Sequence, residues 1–126
     1  MPFDVEIFVE PTYIRALLKG TRVQAGDVEV SKKVLSKISA ASEENGLDDL
    51  LVIADLVGRK NLTATFQLIS NPESLGWKTS YRVALVDTDI TADEFHAFTQ
   101  LVASNRGLQL HVFKEEALAI EWLMSK

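Results

Sequence analysis

The chain has 126 residues, 47% hydrophobic and 25% charged, with 13 basic against 18 acidic side chains, a net charge of −5 and no cysteine. That composition fits one globular domain, excludes disulfides and cysteine chemistry, and argues against a protein that grips nucleic acid through its phosphates. The first residues, Met1 to Glu6, carry acids where a secretory leader is basic and apolar. The longest apolar runs, such as Leu50–Ala54, are far shorter than a membrane span, so no span is expected and the expected setting is the cytoplasm.

Val5, Ile7 and Val9 alternate with Asp4, Glu6, Phe8 and Glu10, the period of a half-buried strand. Pro11-Thr12 turns the chain into a second strand, Tyr13 to Leu18, and so short a link makes the pair antiparallel. From Asp27 the apolar positions Val30, Val34, Leu35, Ile38 and Ala41 lie on one helical stripe, which Asn45-Gly46 ends. Leu50 to Leu56 reads as a strand covered on both faces. Leu62, Phe66, Leu68 and Ile69 form a shorter helical pattern that Asn71-Pro72 interrupts, and Glu73 to Ser80 reads as loop.

Tyr81 to Asp87 is a further buried strand. Thr91-Ala92-Asp93-Glu94 has the form of a capping box and opens a helix carrying Phe95, Phe98, Leu101 and Val102 inward. Leu108 to Phe113 is a short strand, and Glu115 to Met124 a closing helix. The order β-β-α-β-α-β-α-β-α implies a single α/β domain, a mixed sheet with an N-terminal antiparallel hairpin, parallel members joined by right-handed crossovers, and helices packed on it.

Chemical motifs are sparse. The six glycines are too far apart for a phosphate loop, and no Gly-x-Ser-x-Gly elbow is present. His96 and His111 lack metal-binding spacing; His96 is expected on a helix surface and His111, beside Gln109 and Phe113, on an edge strand. Asp55, Asp87 and Asp89 end strands, where ligands gather in open α/β sheets, but loop caps use aspartate in the same way. Arg59-Lys60 and Lys32-Lys33-Lys37 read as solvated basic faces. Trp77, a large ring in a polar loop, either folds back on the core or forms part of a contact surface.

The run Asn105-Arg106-Gly107, then Leu110-His111-Val112-Phe113, then Glu116-Ala117-Leu118 to Trp122-Leu123 resembles the ending of SpoIIAA-like (STAS-type) bacterial proteins, and the element order is similar over the whole chain. The resemblance implies a compact sheet with helices packed largely on one face, in a partner-switching fold. Its phosphoacceptor opens the helix after the first buried strand, in a context like D-[ST]-[ST]-G. Here that place reads Thr63-Ala64-Thr65-Phe66, so Thr65 holds the acceptor position, with Thr63 for the aspartate and Phe66 for the glycine. A phenylalanine fills the space that glycine leaves open, so the switch reads as degenerate.

The expectation is therefore a non-catalytic regulatory or interaction module without a metal or other cofactor, binding a protein partner or a second copy of itself. The alternative is a carrier of a small apolar ligand or lipid, since SpoIIAA-like folds resemble CRAL-TRIO domains. In that reading Phe66, Ile69, Leu75 and Trp77 lid a pocket, and the same four residues are the interface candidates of the first. An enzyme is disfavoured because the candidate acids and histidines are scattered.

Overall fold

A computed structural model describes residues 3–21, 28–57, 76–87 and 93–125. They form β1 (Phe3–Val9), β2 (Ile14–Thr21), α1 (Val28–Asn45), β3 (Asp49–Val57), β4 (Arg82–Val86), α2 (Asp93–Asn105), β5 (Gln109–Phe113) and α3 (Glu116–Met124). The helix expected over Leu62–Ile69, the cap residue Thr91 and the Arg59-Lys60 pair lie outside the described residues.

The strands make one sheet in the order β1-β2-β3-β4-β5. The β1–β2 hairpin is antiparallel, matching Phe8 with Arg15 and Asp4 with Lys19, and the other three pairings are parallel. Chain direction at the first turn is fixed by the Glu10 N–H, which donates to the Tyr13 carbonyl at 2.9 Å. At the far end of α1, Gly46 takes a φ of +65°, which reverses the chain. There the Ser42 hydroxyl donates to the Leu47 carbonyl and the Leu47 N–H returns to Ser42 at 3.1 Å.

Alternation along the strands divides the core in two. Ile14, Ala16, Leu18, Leu50, Val52, Val83 and Leu110 point to one face, where Val34 and Ile38 of α1 and Ala103 of α2 cover them. Leu51, Ala84 and Val86 point to the other, under Ala119 and Leu123 of α3. The expectation of helices largely on one face therefore holds for α1 and α2 and fails for α3. Strands that advance one step at a time through right-handed crossovers put their connecting helices on one side. The closing helix does not link two strands of this sheet, so it is free to seal the opposite face, which β3 and β4 make apolar.

Candidate interaction surface

The closing helix is short and apolar nearly all round: of its nine residues EALAIEWLM, only Glu116 and Glu121 are charged. A helix of that length is marginal alone, so tertiary contacts must hold it. At its start Glu115 makes no side-chain cap, but the Arg15 guanidinium meets the Glu116 carboxylate at 3.3 Å. At its end Arg82 donates to the carbonyls of Trp122 at 2.9 Å and Leu123 at 3.0 Å. These are two of the acceptors that every helix C-terminus leaves without an intrahelical donor, and a cation suits that end of the dipole.

The same Arg82 lies 4.3 Å from the centroid of the Trp122 ring. The His111 and Phe113 rings approach Trp122 at 4.8 and 5.9 Å. Trp122 thus joins β4, β5 and α3. A cleft of about 300 Å³ opens beside it, between Ser104 and Gly107 at the end of α2, Gln109 to His111 of β5, and the indole.

The inner side of α3 is used up by Ala119 and Leu123, while the outer side leaves Leu118 49% and Met124 60% exposed. Phe8 on β1 is 41% exposed and carries the Arg15 guanidinium 5.4 Å from its ring centroid. Arg15 thereby sits between Phe8 and the start of α3, and the Thr12 hydroxyl in the hairpin turn donates to the Met124 sulfur at 3.5 Å. Burial, followed by the negative charges of Glu10 and Glu116, pushes the Tyr13 phenol above its ordinary pKa. Exposed apolar side chains on two elements therefore flank one ion pair.

Of the site residues expected from sequence, Thr65, Phe66, Ile69 and Leu75 lie outside the described residues. Trp77 does not face solvent. It is buried in the first core, and its indole N–H donates to the Leu35 carbonyl of α1 at 3.2 Å. Of the two readings for this ring the fold takes the core, because the indole is large enough to cap the groove between α1 and β4 and its one donor finds a helix carbonyl there.

Asp55 is exposed on the face of β3 that α3 shares, whereas the alternation of β4 carries the buried Asp87 to the opposite face. They do not meet as an acid–base pair. His96 lies on α2, and His111 is exposed on β5, an edge strand. Among the described residues no three His, Asp or Glu side chains gather to hold a metal ion, and no helix is long and apolar enough to cross a membrane.

Sequence reasoning missed Arg82 altogether. It stands alone inside an apolar strand, and the only signal was the cost of burying such a charge without a partner. No protein-family model matches the chain, and no curated protein matches it either.

Proposed function

We propose that this chain is a non-catalytic interaction module of the SpoIIAA-like type, cytoplasmic, and that it associates with a second copy of itself through the outer side of α3 and the adjoining Phe8. The observation that carries the reading is α3 itself. A helix apolar on all sides belongs in an interior, and this one has an interior on only one side.

A second copy is the occupant that the charges favour. Arg15 and Glu116 put both signs on the same patch, so two copies related by a two-fold axis can exchange partners, each Arg15 reaching the other chain's Glu116. Sedimentation of the purified chain over a range of concentrations tests this. A mass that rises to twice the monomer supports it, and Leu118→Glu with Met124→Glu is expected to restore the monomer. A strictly monomeric chain that retains an apolar ligand in native mass spectrometry would overturn it in favour of a carrier.

A further inference from the structure

The two edges of the sheet are not equivalent, and from that asymmetry we propose that β1 accepts an added strand from a protein partner whose alternate residues are basic. This goes beyond self-association through α3 and Phe8: it uses the backbone edge of β1, whereas that reading uses the Phe8 side chain on the face of the same strand.

The direction of the backbone groups follows from two hydrogen bonds. At β5 the Asp87 N–H donates to the Phe113 carbonyl at 2.9 Å, so Gln109, His111 and Phe113 turn their backbone groups toward β4, and Leu110 and Val112 turn theirs outward. Both outward N–H groups are already spent: Leu110 donates to the Leu108 carbonyl at 3.1 Å, and Val112 to the Gln100 side-chain oxygen at 2.7 Å. No outward donor on β5 is left for a strand.

At β1 the bond from Glu10 to Tyr13 turns the even-numbered residues toward β2 and leaves Phe3, Val5, Ile7 and Val9 facing outward. The Val5 N–H is covered by the carboxylate of its own neighbour, Asp4, at 2.8 Å, and Lys37 of α1 holds that carboxylate at 3.0 Å. The Asp4 and Lys37 side chains are 62% and 50% exposed, so the cover is one that water and competing ions can open. Ile7 and Val9 present their outward groups with no strand beside them among the described residues. Among the described residues, one edge is closed by neutral bonds from within the fold, the other by a surface ion pair.

Charge selects the partner. Across the register one row reads Asp55, Lys19, Asp4, alternating in sign from strand to strand. The next place in that row belongs to a cation, and Lys37 fills it by reaching round from the helix. Glu6, exposed on the same face, extends the acidic stripe along β1.

A second copy does not satisfy this edge. Pairing β1 antiparallel to itself through its outward residues sets Glu6 opposite its own copy, Asp4 opposite Glu6, or Asp4 opposite Glu10, depending on register. Like charges directly opposite destabilise such pairs. A strand with Lys or Arg at alternate positions and apolar residues between them meets both faces at once, its cations beside Asp4 and Glu6 and its apolar side chains beside Val5 and Ile7.

The test uses the whole chain and two synthetic extended peptides, one alternating valine with lysine and the other valine with glutamate, titrated at low salt with amide-resolved NMR. The valine–lysine peptide is expected to shift the Ile7 and Val9 amides and protect them from exchange, and the valine–glutamate peptide to do neither. Lys37→Ala is expected to tighten binding about twofold by removing the competing cation. Glu6→Lys is expected to weaken it about tenfold and to hand the preference to the glutamate peptide. Should Glu6→Lys lose its folded spectrum, Glu6→Gln carries the same test with a smaller drop. Shifts confined to β5 or α3, equal binding of both peptides, no binding of either, or an affinity indifferent to the charge at position 6 would overturn the proposal. Self-association is read separately by sedimentation, so the two readings stand or fall apart.

Discussion

The Arg82 guanidinium lies over the Trp122 ring at 4.3 Å and donates to the carbonyl of that same residue at 2.9 Å. One side chain therefore fixes both the ring and the backbone at the end of α3. Arg82→Met keeps much of the packing and removes the charge, taking from the Leu123 carbonyl its side-chain donor and leaving the Trp122 carbonyl to Ser125. The expected cost is about 2–4 kcal/mol in urea unfolding. Arg82→Lys is expected to recover less than half of it, because an ammonium cannot fork to two carbonyls while stacking on an indole. A loss within 0.5 kcal/mol of zero, roughly the range of an ordinary surface change, would mean that α3 is held by its other contacts without Arg82.

Gly76 takes a φ of +74°, and a Cβ there would stand 2.9 Å from the Ser39 hydroxyl. Gly76→Ala therefore meets left-handed strain and a side chain that must move, and is expected to cost about 1–3 kcal/mol. The double variant with Ser39→Ala relieves only the contact. A thermal-shift series on the two single variants and the double separates the two costs, and full recovery in the double would assign everything to the clash.

Tyr81 is fully buried, and its hydroxyl has no hydrogen-bond partner among the described residues. Its ring packs 6.5 Å from that of Trp77. Tyr81→Phe keeps the ring and removes the orphan, so it is expected to leave stability unchanged or to raise it by about 1 kcal/mol. Destabilisation by more than that amount would show that the hydroxyl has a hydrogen-bond partner within the core, and a structure of the parent chain would locate it.

Asp4 titrates below its ordinary value of 3.8, first because the Val5 N–H donates to its carboxylate and second because of Lys37. A carboxylate depressed in the folded state contributes stability that is complete above the unfolded value and is lost as pH falls through the folded one. The window is therefore acidic, from 3.8 downward. Exchange of the Val5 amide is expected to quicken relative to the Asp4→Asn variant as pH enters that window. At the alkaline end Tyr13 works oppositely: its raised pKa means that stability declines as pH climbs past 10.0.

Much of the fold was legible because hydrophobic period is a local signal. The alternation of Val5, Ile7 and Val9 and the stripe from Val34 to Ala41 place β1 and α1 almost to the residue. The double-sided strands around Leu51 and Ala84 announced that both faces needed cover, yet the side on which α3 lies could not be read from a helix apolar all round. The recognition surface was less legible. Arg82 and Trp122 are 40 residues apart and Arg15 and Glu116 are 101 apart, and only the sheet brings such residues together. Trp77 stayed open between core and surface for the opposite reason: the residues around it are polar, but the ring turns away from them toward Leu35.

The spent donors of β5 also set a limit on stoichiometry. Edge-to-edge polymers grow because each unit offers one edge and accepts another, so a chain whose second edge is already satisfied ends the array it joins. Gln100, by occupying the Val112 N–H, acts as a chain terminator for any such growth. Removing it with Gln100→Ala is expected to matter more for colloidal behaviour than for folding: a loss of about 1 kcal/mol in stability, and light scattering that rises with concentration and time where the parent chain stays clear.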